Sequence, residues 1–178
     1  SKKHLVDGNV TVAFNVPTEK LQGVTTVAFE TISIDGLEVI THANIKDEAQ
    51  TDYFPGGHTT LTDSETEDHI ANADKSVKLT DVVSYNNMKP ETEFTVTGTL
   101  MDRETEKAVV DADGKNVTST VKFTTPAAAE GEKTVSGEVE VVFEFNASNL
   151  ENHTVVAFEK MWRNDLETDV LMWQHEDY

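Results

Sequence analysis

Glu30 and Glu159 each close the same four-residue string, Val-Ala-Phe-Glu, 129 residues apart. An acid at the end of an apolar run is costly to bury unless it is paired or kept neutral, so its repetition asks for a shared role. A histidine follows each one: His42 lies twelve residues after Glu30, and His175 matches it in the second copy if about four residues are inserted. Gln50 follows His42 by eight residues. Carboxyl and imidazole groups can exchange protons, and a carboxamide carbon can be attacked once it is activated.

The elements that must hold these groups are strands. Val10, Val12 and Phe14 alternate with polar neighbours, as do Val139, Val141, Phe143 and Phe145, and Phe94, Val96 and Gly98 alternate with threonines. A period of two predicts half-buried strands. Asp35-Gly36, Gly56-Gly57, Lys89-Pro90 and Asp113-Gly114 read as turns between them. No helical stripe is sustained, and the surroundings of Leu21 and Leu150 support a single turn. The pattern predicts an all-β chain, an immunoglobulin-like antiparallel β-sandwich.

The repeat is longer than the shared tetrapeptide. Gly8–Glu30 aligns with Gly137–Glu159 without a gap, and a period of that length is a domain rather than a solenoid turn. Residues 1–53 then read as the C-terminal part of one unit, Phe54-Pro55-Gly56-Gly57 as a junction, and residues 54–178 as a nearly complete second unit lacking its last strand. A piece of three or four strands exposes its apolar face unless the second unit or another copy of the chain covers it.

Composition removes several classes. The chain has no cysteine, which excludes a disulfide scaffold and a thiol enzyme, and its net charge of −19 opposes nucleic acid and anionic membranes. No apolar run is long enough for a membrane helix, and Ser1-Lys2-Lys3-His4 begins no signal peptide. No cofactor and no metal are expected. Asp111-Ala112-Asp113-Gly114 lacks the later glutamate of a calcium loop and reads as a hairpin turn. The run Asp63–Asp68 reads as a solvated loop, and His4, His58, His69 and His153 as surface residues. Trp162 and Trp173 either pack the base of the inserted segment or form an exposed contact surface.

Between the two Val-Ala-Phe-Glu strings stand Pro-x-x-His-Thr-Thr-Leu-Thr-Asp at Pro55–Asp63, Asp81-Val82-Val83-Ser84-Tyr85, and Gly98-Thr99-Leu100-Met101-Asp102. In this order, with His42-x7-Gln50-Thr51, they resemble the VaFE-repeat domains of Gram-positive bacterial surface adhesins, the immunoglobulin-like modules with an internal Thr-to-Gln ester bond. The resemblance covers nearly the whole chain. By position it implies Thr59 as the ester-forming threonine, with Thr60 as a rival, and a proton-sharing acid pair of Asp81 and Glu159 with His175 beside them. In the preceding unit it implies Glu30, His42 and Gln50. Asp81-Val82-Val83 departs from the usual Asp-Thr-Val, and Leu166-Glu167 aligns with Leu37-Glu38 across the insertion.

Joining a threonine hydroxyl to a glutamine carboxamide expels ammonia and needs activation at both ends. Fixed side chains reach effective molarities of roughly 10⁵ to 10⁸ M. Two carboxyls in contact inside a core cannot both ionise, so one stays protonated and can polarise the amide carbonyl. A histidine would take the hydroxyl proton and return it to the departing ammonia. A cross-link between the first and last strands closes a loop of more than about 100 residues, worth roughly 5 kcal/mol on the disulfide entropy scale. The expected protein is a surface-adhesin stalk module, extracellular and cell-wall-anchored, that cross-links itself once and is not a turnover enzyme. Its expected partners are neighbouring repeats or another copy of the chain, and a host surface ligand elsewhere in the full protein. The alternatives are a ligand-binding module and a Lys-Asn isopeptide domain, which would need a buried lysine.

Overall fold

The computed structural model describes residues 7–17 and 20–178; His4 and the Ser1–His4 segment lie outside them. Twelve strands follow in chain order: β1 Thr25–Val27, β2 Glu30–Ile34, β3 Leu37–His42, β4 Thr51–Tyr53, β5 Gly56–Asp63, β6 Val77–Met88, β7 Glu93–Asp102, β8 Lys107–Ala108, β9 Thr118–Thr124, β10 Val135–Phe145, β11 Val155–Arg163 and β12 Val170–His175. A 3-10 turn, Glu48–Gln50, precedes β4.

Residues from Gly56 onward build an antiparallel two-sheet sandwich of the immunoglobulin-like class. One sheet runs β10-β6-β5. In the other, β12 and β7 flank β11, and β7 pairs on its far side with β9 and the short β8. The two-residue alternation read from the sequence decides which side chains meet between the sheets. Val83, Phe94, Val96, Leu100, Val141 and Phe143 are almost fully enclosed there.

Gly98 shows how closely the sheets approach. A Cβ at this position of β7 would lie 2.7 Å from Phe143 Cζ and 2.9 Å from Val141 Cγ1 on β10. The strand therefore carries glycine where it faces the opposite sheet most tightly.

Three expectations are corrected. Gly56 and Gly57 form no turn; they open β5, paired with Asn86 and Tyr85. They are glycines because a Cβ would fall 2.4 Å from Gly23 N and 2.4 Å from Ser84 O respectively. Val10, Val12 and Phe14 belong to no strand and are exposed. Their counterparts, Val139, Val141 and Phe143, pair with β6, and among the described residues no equivalent of β6 is offered to the first copy. Finally, Asp63 does not belong to a solvated loop. It is buried at the end of β5, where its carboxylate accepts from Glu65 N and Thr66 N, and these backbone bonds lower its pKa.

The first piece is two small ribbons, β2-β3 and β1-β4. Phe29, Ile32, Ile34, Leu37 and Ile40 are exposed on it. Phe54 N donates to Val24 O and Gly23 N to Pro55 O, while Asn87 Nδ2 donates to Phe54 O, tying the piece to the start of the sandwich.

Gly98→Ala is expected to destabilise the sandwich by about 1–3 kcal/mol, because Phe143 and Val141 must both move; urea unfolding of the full chain measures it.

Candidate functional site

Asp81 sits in β6 between the buried Leu79 and Val83, and Glu159 in β11 between Ala157 and Met161. Strand parity sends both acids into the core from opposite sheets. Each is 0% exposed. Neither carboxyl has a partner within hydrogen-bond geometry among the described residues. The polar groups that act on them include the two carboxyls on each other, the Thr60 backbone on Asp81 and the Thr59 hydroxyl on Glu159.

Burial is the largest cause that raises the pKa of both acids. For Glu159 the neighbouring Asp81 adds to the rise, while for Asp81 the approach of Glu159 and the charge of His175 pull back. Two acids so enclosed are held with a proton between them rather than as two anions.

At the rim of this pair, β5 meets β12. Thr59 is half-buried and its Oγ1 lies 3.4 Å from His175 Nδ1. Thr60, the rival, points outward. His175 Nδ1 is also 3.8 Å from Glu159 Oε2, and Nε2 is 3.6 Å from Asp177 Oδ2. The histidine stands directly opposite Glu159 in the β11-β12 register.

The first copy repeats the pairing in the open. Glu30 is opposite His42 in the β2-β3 register, with Nδ1 3.5 Å from Glu30 Oε2. The two side chains are 32% and 45% exposed. The inserted residues fall wholly in the turn, which is Asp35-Gly36 in the first hairpin and 164–169 in the second. The alignment of Leu166-Glu167 with Leu37-Glu38 is thereby corrected: those residues lie in the turn, and Val170 stands where Leu37 does.

Asp47 was not singled out from the sequence. Its Oδ2 lies 2.7 Å from His42 Nε2, while its Oδ1 accepts from Ala49 N at 2.9 Å and caps the turn that carries Gln50. One carboxylate thus orients the imidazole and fixes the backbone beside the carboxamide. The available signal was its place between His42 and Gln50. Gln50 O in turn accepts from Ala28 N, extending the β1-β4 ladder toward Glu30. Gln50 and Thr59 belong to different pieces, and the chain brings no carboxamide of the described residues to Thr59 by hydrogen bond.

A groove of about 610 Å³ opens between the outer edge of β5 and the first half of β11, lined by Thr59, Leu61, His153, Val155, Ala157 and His175. Strand β11 pairs with β12 only from Glu159 onward, so Val155–Phe158 have one free edge. His153, read as a surface residue, is exposed but lies 2.5 Å from the buried Asp102 carboxylate, which it holds down at about 2 with help from the Thr105 backbone. Asp111 accepts from Asp113 N and Lys115 N, as a turn does, and no metal-holding cluster occurs among the described residues.

Fold and site define an antiparallel β-sandwich module with an acid pair sealed between its sheets beside a threonine-histidine contact. The family model of the T-Q ester bond containing domain matches residues 1–53 and 55–178, and the chain belongs to that family. Solved structures of a bacterial adhesin from Mobiluncus mulieris, containing intramolecular disulfide, isopeptide and ester bond cross-links, are similar in two crystal forms. They match at 14% identity over 70% of this chain, with TM-scores of 0.42 and 0.45. The chain spans about half of their length, 53% and 50%. No curated protein matches.

Because the folded state binds the Glu159 proton more tightly than the unfolded chain, unfolding gains favour as pH rises above the ordinary glutamate range near 4.5. Urea midpoints of the wild type, relative to Glu159→Gln, are expected to fall between pH 5 and pH 9. A constant difference would refute a neutral Glu159.

Proposed function

We propose that this chain is part of a cell-surface adhesin stalk whose sandwich forms an autocatalytic ester between Thr59 and a glutamine carboxamide. The observation that carries the reading is the Asp81-Glu159 pair, fully enclosed and without a hydrogen-bond partner among the described residues, next to a threonine hydroxyl already facing an imidazole nitrogen. An acid pair that only stabilised the fold would be better replaced by apolar side chains.

In the proposed reaction His175 Nδ1 accepts the Thr59 proton while Asp177 faces Nε2. Thr59 Oγ1 attacks the carboxamide carbon, and the neutral member of the acid pair donates to its carbonyl oxygen. The C–N bond breaks, the imidazole returns its proton to nitrogen, and ammonia leaves. The group turns over once and leaves no enzyme behind.

The first copy suggests where the carboxamide comes from. There β4 pairs with β1 and Gln50 O reaches Ala28 N. A strand laid on β11 in the same register fills the groove and sets its glutamine opposite Ala157, the counterpart of Ala28, where Thr59 also lines the wall. Partners are therefore neighbouring repeats or another copy of the chain, in a protein that is extracellular and anchored to a Gram-positive cell wall. The isopeptide alternative lacks its nucleophile, since no lysine among the described residues is buried.

Within one chain Gln50 and Thr59 belong to different pieces, so monomers are expected to keep their translated mass. On incubation at high concentration a dimer resistant to boiling denaturant is expected, lighter than two chains by one ammonia, about 17 Da, and cleaved by alkaline hydroxylamine. Thr59→Ala and Gln50→Ala should each abolish it. A dimer of undiminished mass, or one that survives Thr59→Ala, would sink the ester reading.

A further inference from the structure

The geometry points to Trp173 as a positioning residue that holds the His175 imidazole against Thr59; the inference rests on the proposed reaction and deepens it. Trp173 is only 4% exposed, and its ring is stacked with that of His175 at 6.2 Å between centroids and 14° between planes. The indole also lies against the β5 backbone, since a Cβ on Gly57 would be 3.4 Å from both Cε2 and Cζ2. Gly57 and Thr59 are alternate residues of β5, and Trp173 and His175 are alternate residues of β12. Two cross-sheet contacts are therefore stacked one above the other: glycine with indole, then hydroxyl with imidazole.

The upper contact sets the lower one. His175 lies on a strand that pairs, among the described residues, with β11 alone, and its Thr59 contact of 3.4 Å is at the outer limit of a hydrogen bond. Its ionic contacts among the described residues are the Glu159 carboxyl at 3.8 Å and the Asp177 carboxylate at 3.6 Å, the latter on a side chain 87% exposed. Neither fixes the plane of the ring. The indole does, because a flat ring stacked with a buried aromatic cannot turn without leaving the stack.

The first copy holds its histidine differently. Ile40 stands where Trp173 does and is 60% exposed, while His42 is gripped by Asp47 at 2.7 Å. Trp173 also closes the site from the junction side. It lines a hollow of about 340 Å³ with Phe54, Pro55 and Leu171, whereas Thr59 and His175 open into the groove on the other side. Water reaching the new ester from the junction would have to pass the indole.

Two measurements on the full chain test this. In the unliganded protein the His175 ring protons are expected upfield from the indole ring current, with the displacement lost in Trp173→Leu and partly kept in Trp173→Phe. Ester formation with a synthetic peptide of residues 43–54 is then followed by mass. Trp173→Leu should lower the rate at saturating peptide by up to about 100-fold, the cost of an ångström of misplacement, with half-saturation unchanged and most of the rate restored by Trp173→Phe. Unshifted His175 protons, or an unchanged saturated rate in Trp173→Leu, would overturn the inference. If the wild type makes no ester, the reaction proposed above fails, and the ring-proton shifts alone then decide whether Trp173 holds the imidazole.

Discussion

Two carboxyl groups facing one another in a dry core constrain everything else in this sandwich. Moving even one ionised carboxylate from water to such a place costs several kcal/mol, and two anions in contact cost more. Asp81 and Glu159 have no donors to neutralise them within hydrogen-bond geometry among the described residues. The stable arrangement keeps a proton on the pair, and the surrounding β6, β7, β10 and β11 side chains keep water from it. Gly98 stands opposite Glu159 in the β7-β11 register and lets Phe143 and Val141 close over the same region. Closeness of the sheets and neutrality of the acids are one requirement.

The two copies of the glutamate-histidine hairpin separate what residue type does from what environment does. Both have the same strand lengths after the glutamate and place it across from the histidine. In the first copy the carboxyl is a third exposed; in the second it is enclosed. The same side chain is therefore an ordinary surface partner of histidine in one place and a held acid in the other. What differs is the opposing sheet.

The free edge of β11 gives the sandwich an unfinished character. An unpaired stretch of β11 beside the outer edge of β5, which pairs only with β6 among the described residues, invites another strand, which natural proteins otherwise guard against with charge or covering loops. Here the flanking loop contributes His69, whose Nδ1 is bonded to Leu61 O, and the edge beyond it stays open toward Thr59. In the first copy the equivalent edge is occupied by β4, so the chain contains both the empty and the filled forms of one arrangement.

Much of this was legible in the residues themselves. Alternation fixes which face each strand buries, and the same parity places Asp81 among Leu79 and Val83 and Glu159 beside Ala157 and Met161. The repeat marked Glu30, Glu159, His42 and His175 before any strand was paired. Other features depend on distance in space and had no local signal. Gly56-Gly57 carries the composition of a turn yet begins a strand, because the reason for glycine is the approach of Gly23 and Ser84 rather than a bend. Val10, Val12 and Phe14 carry a strand pattern yet pair with no strand among the described residues, because a pattern states only that a face can be buried, and a partner must supply the burial. Where the insertion falls, whether Thr59 or Thr60 faces His175, and what Trp173 touches were decided by register and by the packing of one sheet on another. Sequence alone determined the alphabet of the site and the parity of its strands, since both follow from neighbours in the chain; tertiary structure decided which groups meet, since contact between residues more than 100 positions apart depends on how two sheets close.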